Sequence, residues 1–176
     1  LTGNDDLVPL HRIDRETAGL VMFGKRLQDR DAYHALFRDK EMHKVYEAVA
    51  AYNPALELPR VHISRLQPDE LFFRTQEVEG EPNSETRIRL LKVEGTRALY
   101  ELEPISGKRH QLRVHMVALG LPLEGDQFYP TVLRGPDAEE DFSHPLQLLA
   151  KRVAFTDPVT GKQREFHSAM RLSIAL

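Results

Sequence analysis

Two short segments of the sequence concentrate polar side chains that could act on a substrate. In the first, Asp14 lies between Arg12 and Arg15, directly before an apolar run. Neighbouring cations favour the ionised form of a carboxyl group, and an ionised carboxylate at the mouth of a strand can act as a nucleophile or a base. A turn closed by surface ion pairs is the simpler interpretation, and taken alone these residues fit it better.

The second segment, residues 106–115 (SGKRHQLRVH), is cationic and contains no acidic residue. A helix that begins near Lys108 would offer its first backbone N–H groups to a phosphate, supported by the charges of Lys108 and Arg109. Arg113 adjoins the apolar face of this helix, so we expect it to point partly inward and to need an anionic partner. We predict that Asp14 is that partner. A solvated basic helix face is the alternative.

Strands dominate the elements that must position these two segments. The apolar patterns predict strands over residues 18–24, 42–51, 60–66, 70–75, 86–93, 96–103, 146–155 and 163–166. Helical spacing predicts helices over residues 27–37 and 108–119, with Gly120 ending the second. Residues 129–145 are predicted to form a long polar loop. This order predicts an α+β fold with a mixed, mostly antiparallel sheet flanked by a few helices.

Length and composition limit the class of protein. A chain of 176 residues is expected to form one domain, and 41% hydrophobic with 29% charged residues argues against disorder. The absence of cysteine excludes a disulfide scaffold, thiol catalysis and cysteine-ligated metals. No run of about 18 apolar residues is present, so we expect a cytoplasmic protein. The net charge of −3 is unusual for a nucleic-acid-binding protein, although one basic face can coexist with acidic loops.

The sequence gives no sign of a metal or a nucleotide cofactor. The eight histidines are scattered, and the five-residue spacing of His110 and His115 does not match two ligands on one helix face. Phosphate-binding glycine motifs and the G-x-S-x-G nucleophile motif do not occur. We therefore expect no cofactor and no metal.

Five segments, in order, resemble the motifs of one enzyme family. Residues 11–20 (HRIDRETAGL) are similar to the H-R-L-D-x-x-T-S-G-L motif, and residues 44–48 (KVYEA) to a K-x-Y-x-A motif. Residues 107–115 (GKRHQLRVH) and 120–126 (GLPLEGD) are similar to G-R-x-H-Q-[IL]-R-V-H and G-x-P-[IL]-x-G-D. Residues 148–161 resemble the closing strands of the same family. These are motifs of the RluA-type pseudouridine synthases.

The resemblance implies isomerisation of specific uridines in structured RNA, ribosomal or transfer RNA, to pseudouridine. It implies Asp14 as the nucleophile, Arg113 as the cation that holds it, and Tyr46 as a ring beside the uracil. A uridine must leave the base stack to react, and Arg12 matches the family position that fills the vacated space. The residues that we expect to contact RNA are Arg12, Arg15, Lys108, Arg109, His110 and Gln111.

The sequence departs from the family pattern in three places. Ala18 replaces a serine and Leu149 replaces a common histidine. The N-K-P strand that normally precedes the first motif is not found before Leu7. We therefore expect a single catalytic domain over residues 1–176, acting as a monomer, without that N-terminal segment and without a separate RNA-binding domain.

Two other functions fit the same residues. The first is a noncatalytic RNA-binding module that uses the same basic cleft. The second is a hydrolase of glycosidic bonds, which needs two carboxyl groups. Glu16 and Asp126 are the candidates for the carboxyl group that would act with Asp14.

Overall fold

The structure is a computed structural model that describes residues 3–135, 137–139 and 142–175. The elements along these residues are β1 (Val8–Pro9), β2 (Ala18–Gly19), β3 (Phe23–Gly24), α1 (Arg30–Arg38), β4 (His43–Ala51), β5 (Arg60–Pro68), β6 (Thr75–Val78), β7 (Ser84–Glu94), β8 (Arg97–Pro104), α2 (Gln111–Ala118), β9 (Leu148–Thr156) and β10 (Gln163–His167). A 3₁₀ turn, Leu27–Asp29, precedes α1. In this part of the chain neither helix has the length and apolar character needed to span a bilayer.

Eight of the strands form one sheet. Its order is β10-β9-β4-β8-β7-β5-β6, and β2 adds to β9. The β2–β9 pairing is parallel, whereas the other pairings within the described sheet are antiparallel. Strands β1 and β3 form a separate antiparallel pair. The predicted α+β fold with a mixed, mostly antiparallel sheet is confirmed.

Helix α2 lies against the centre of the sheet. Its side chains Leu112 and Met116 pack with Ala48, Ala50 and Leu102 of β4 and β8. The small alanine side chains leave room for the helix, and residues 111–116 are consequently all buried. Because these turns are buried on every side, the charged residue Arg113 of α2 lies in the interior. An amphipathic surface helix would keep such a residue in water.

Helix α1 covers a different part of the sheet, at the edge formed by β9 and β10. Leu36 of α1 and Met42 pack against Val153 and Phe155 of β9. On the opposite face, Val49 packs with Leu99 and Ile174. Because both faces of β4 are covered, its residues 47–50 are all buried and do not alternate between buried and exposed.

The single strand predicted over residues 18–24 is wrong. The segment forms β2 and β3, which belong to different sheets. Gly19 has φ +105°, and a Cβ at this position would lie 2.3 Å from the carbonyl oxygen of Ala150. The chain therefore approaches β9 closely at a glycine and then leaves it.

Two other boundaries differ from the prediction. The strand expected over residues 70–75 starts only at Thr75, because residues 69–74 form the turn. The helix expected from Lys108 starts at Gln111, because His110 has a left-handed backbone with φ +53°. Lys108 and Arg109, which the prediction placed at the start of the helix, therefore precede α2. The remaining predicted helix and strands are confirmed within a few residues, as is the loop over residues 129–145 where the structure describes it.

Candidate active site

Asp14 lies in the connection between β1 and β2, which His11 fixes in place. The Nε2 atom of His11 accepts a hydrogen bond of 3.0 Å from the backbone N–H of Met22. Its other nitrogen must then carry the proton, which it donates to the carbonyl oxygen of Arg12 at 3.1 Å. The backbone N–H of Thr17 closes the turn on the carbonyl oxygen of Asp14. This network holds the backbone of Asp14 while its carboxylate stays available.

Arg113 is the buried cation of the site, with 1% of its surface exposed. Its Nε and Nη2 atoms donate to the two carboxylate oxygens of Asp126 at 2.8 and 2.5 Å. Nη2 also donates to Glu16 at 3.0 Å. The prediction that Arg113 pairs directly with Asp14 is therefore wrong. Asp126 offers a fully buried bidentate partner, which matches the planar guanidinium better than a single carboxylate oxygen does.

The carboxylate of Asp14 has no hydrogen-bond partner among the residues that the structure describes. The Nε2 atom of His110 lies 3.9 Å from its Oδ1 atom. Burial raises the pKa of Asp14, while the charges of Arg113, Arg12 and Arg109 lower it. The cations act on the carboxyl group as the sequence predicts, but desolvation is the larger effect. A carboxylate without hydrogen bonds to the protein keeps its lone pairs for a substrate.

Tyr46 projects from β4 into the same cavity as Asp14. Burial and the charge of Asp14 raise the pKa of Tyr46 to about 12. The phenol is therefore neutral at physiological pH, and its ring offers an apolar face for stacking. Because β4 is hydrogen-bonded on both sides, to β8 and β9, the ring sits on a rigid strand.

His110 is buried in the wall of the cavity and is not exposed for contact with RNA. It is 7% exposed, and its Nδ1 atom lies 2.8 Å from the hydroxyl of Tyr129. Burial, together with the charges of Arg113 and Arg109, lowers the pKa of His110 to about 3. The imidazole is therefore neutral and adds no charge to the cavity.

Gln111 is also buried, and its amide group is fully used by the protein. Its Oε1 atom accepts hydrogen bonds from the hydroxyl of Ser106 and the backbone of Lys108. Its Nε2 atom donates to the carbonyl oxygen of Glu85 and the hydroxyl of Thr86. Gln111 therefore fixes the 106–110 turn to β7, and no donor of its amide is left for RNA.

The remaining predicted contact residues lie around the opening. Arg12, Arg15 and Lys108 are exposed. The guanidinium of Arg109 donates to the carbonyl oxygens of Phe72 and Phe73, in the turn between β5 and β6. Arg109 thus ties that turn to the cavity wall while keeping its positive charge beside the opening.

These residues surround one cavity of about 530 Å³. Its lining includes Asp14, Tyr46 and Arg113, which the sequence places far apart. A second cavity of about 420 Å³ lies on the other side of Asp14 and Arg113. A volume of this size accommodates a nucleoside, and the open side allows a polymer to leave it.

One group of potential metal ligands occurs among the described residues, His62, Glu77 and His115. Ser84 donates its hydroxyl proton to the carbonyl oxygen of Ser64, so it can only accept from the Nε2 atom of His115, at 3.0 Å. That nitrogen therefore carries a proton and cannot bind a metal ion in this arrangement. The group is better described as a hydrogen-bonded core histidine beside a surface ion pair.

Three residues of the site are not predicted from the sequence. His11 and Lys44 stand inside the recognised motifs, but their types alone do not indicate a role. Tyr129 lies in the long loop, and its hydroxyl joins His110 to the backbone of Thr75. No periodicity marks a loop tyrosine, so only the fold identifies this contact.

Comparisons with known proteins agree with this geometry. Residues 1–118 match the RNA pseudouridylate synthase family. The dual-specificity RNA pseudouridine synthase RluA of Vibrio parahaemolyticus is 33% identical over 164 residues, which cover 87% of this chain and 62% of that protein. The enzyme of the same name from Pasteurella multocida is 31% identical, with 90% of this chain and 71% of that protein covered.

A solved structure shares the fold. The human protein RNA pseudouridylate synthase domain containing 1 superposes with a TM-score of 0.74 at 19% identity, over 93% of this chain and 69% of that chain. The present chain spans about three fifths of the length of the Vibrio relative. The ordered motifs, the matched residues and the fold lead to one conclusion: the chain belongs to the RNA pseudouridylate synthase family, in its RluA-type branch.

Proposed function

We propose that this chain converts uridine in structured RNA to pseudouridine, with Asp14 as the nucleophile. The observation that carries the proposal is the shared cavity, in which Asp14, Tyr46 and Arg113 face one nucleoside-sized space. The two curated relatives named above are called RNA pseudouridine synthases, and a further relative from Vibrio cholerae is called ribosomal large subunit pseudouridine synthase C, which supports RNA, including ribosomal RNA, as the substrate class. No cofactor is needed, because the reaction is redox-neutral.

The reaction exchanges one bond of the nucleotide for another. The C1′–N1 bond breaks, the uracil turns, and a C1′–C5 bond forms; C5 loses its proton and N1 gains one. The carboxylate of Asp14, free of protein hydrogen bonds, is suited to form a transient covalent bond with the nucleotide. Its pKa, raised by burial, makes it a better nucleophile than a carboxylate in water.

Arg113 and Tyr46 support this step in different ways. Two nitrogens of Arg113 are held by Asp126 and Glu16, and its positive charge favours the ionised form of Asp14. In the low dielectric of the site, this charge stabilises negative charge that develops on the base. The neutral ring of Tyr46 stacks on the uracil while it turns.

We assign RNA binding to the exposed cations. Arg12 and Arg15 flank Asp14 in the sequence, and Lys108 and the partly exposed Arg109 line the same cavity as Arg12. Their charges attract the phosphate backbone although the net charge of the chain is −3. His110 and Gln111, which are buried, act as supports of the wall. We further propose that the 176 residues act as one catalytic domain and as a monomer in the cytoplasm, where ribosomal and transfer RNA are found.

The hydrolase alternative has less support. Glu16 and Asp126, the candidates for a second carboxyl group, both accept hydrogen bonds from the guanidinium of Arg113 and form ion pairs with it. Neither is available to activate a water molecule on a sugar.

The test is to incubate the purified chain with ribosomal and transfer RNA transcripts that carry tritium at C5 of uridine. Tritium release together with pseudouridine in the RNA digest is the expected result. Free uracil among the products would instead identify a hydrolase. Binding of the RNA without either product would identify a noncatalytic module, and both outcomes would overturn the proposal.

A further inference from the structure

The ammonium group of Lys44 is a charged group without a partner at the edge of the cavity. Lys44 lies on β4, two residues before Tyr46, and lines the same cavity. It is half-buried, and burial lowers its pKa. Among the described residues it makes no hydrogen bond and no ion pair. A desolvated cation without an anion is unfavourable unless a ligand supplies the negative charge.

The surroundings of Lys44 contain open space and several basic side chains. A Cβ added to Gly107 would lie 3.6 Å from the Nζ atom, so the missing side chain leaves that side open. His11 is near enough for the lysine to lower its pKa further, and Arg152 shares a small adjoining cavity. Lys40 and Lys108 line the same main cavity. The titratable side chains that these contacts place around Lys44 are therefore basic.

We propose that Lys44 binds a phosphate oxygen of the nucleotide that occupies the cavity, a role that rests on the proposed function. The charge of Asp14 raises the pKa of Tyr46, but Asp14 is not among the causes of the lowered pKa of Lys44. Residues two apart on a strand are separated by about 6.7 Å. Lys44 therefore lies about this distance along β4 from Tyr46, which is the residue nearer to Asp14. Lys44 and the open space beside Gly107 belong to the same cavity as Asp14, so the phosphate of a nucleotide that fills the cavity is the anion available to the lysine.

The phosphate is a better ligand here than an oxygen of uracil. The base is neutral, whereas a phosphate oxygen carries the charge that the ammonium group lacks. A charge-assisted hydrogen bond is roughly twice as strong as a neutral one. The amide N–H of Gly107 also has no protein partner among the described residues, so a second donor lies beside the lysine.

Isothermal titration of the purified chain with uridine, uridine 5′-monophosphate and inorganic phosphate tests the proposal without depending on turnover. The wild-type chain is expected to bind the monophosphate about tenfold more tightly than uridine. Lys44→Met should remove this difference and leave uridine binding unchanged, and Lys44→Arg should keep most of it. Lys162→Met removes a charge from the exposed turn between β9 and β10, and it should behave as wild type.

Three results would overturn the proposal: equal affinity of the wild-type chain for uridine and its monophosphate, a preference that persists in Lys44→Met, or equal affinity for inorganic phosphate and the monophosphate. The last would indicate an anion site unrelated to the nucleotide. A Lys44-dependent preference in a chain that forms no pseudouridine would uphold the phosphate site and reject the proposed function, so the two failures can be told apart.

Discussion

Arg113 and Asp126 form a pair in which each side chain is 1% exposed. Asp126 also accepts hydrogen bonds from the backbones of Phe128 and Tyr129. Asp126→Asn should lower the free energy of unfolding by about 3 kcal/mol, because it removes the bidentate carboxylate of a buried guanidinium and leaves only the partly exposed Glu16 as its ion-pair partner. Urea unfolding measures this loss.

The matched control is Glu165→Gln, which removes the carboxylate of an exposed pair with Arg152. Its effect should stay below about 1 kcal/mol. An Asp126→Asn protein as stable as the control would show that the buried pair does not stabilise the fold.

The sequence identified Asp14 and Arg113 correctly as members of one cavity, but it assigned the arginine to the wrong carboxylate. Asp126 ends the GLPLEGD segment, so the information was present in the motif. The sequence does not predict the path of the chain after α2. That path brings the GLPLEGD segment back against the helix. The choice between two acids depends on that path and on burial, and neither has a local signature.

At the scale of elements, the start of α2 depends on Gln111, whose amide makes four hydrogen bonds. Gln111→Ala leaves several of their partners unsatisfied and should cost about 2 kcal/mol of unfolding free energy. It should also reduce turnover, because the 106–110 turn lines the cavity. Urea unfolding and the tritium assay measure the two effects.

Gln163→Ala is the control for this change, because Gln163 is exposed and its side chain bonds only to Thr156 among the described residues. Its effect should be within about 0.5 kcal/mol. Equal stability losses in the two variants would contradict the role given to Gln111.

Long strands were predictable and short ones were not. The strands β4, β7, β8 and β9 each contain eight or more residues, which suffices for a hydrophobic pattern. Strands β2 and β3 contain two residues each, and tertiary contacts alone define them. The sequence does not predict the late start of α2, because histidine has no strong preference for a left-handed backbone. The left-handed conformation of His110 goes with its buried contact with Tyr129.

At the scale of the whole molecule, buried histidines make stability depend on pH. Burial lowers the pKa of His115 to about 4 and that of His110 to about 3, from an ordinary 6.5. The unfolded chain therefore binds more protons between these values, so stability is complete above about pH 6.5 and falls as the pH decreases. The raised pKa values of Asp14 and Glu16 oppose this slope toward its acid end.

Urea unfolding between about pH 7.5 and about pH 5 should show this decline, and His115→Gln should make it shallower. The exposed His34→Gln serves as the control and should keep the wild-type slope. If His115→Gln and wild type decline in parallel, His115 is not the source of the pH dependence.

The most direct measurement for the whole account compares pseudouridine formation by Asp14→Asn and Asp5→Asn on the same RNA. Both variants exchange one carboxylate for an amide, but Asp5 is exposed and does not line the cavity. Asp14→Asn should reduce turnover by about a thousandfold or more while RNA binding persists, and Asp5→Asn should retain wild-type turnover. Turnover by a folded Asp14→Asn protein within about tenfold of wild type would contradict the assignment of the nucleophile.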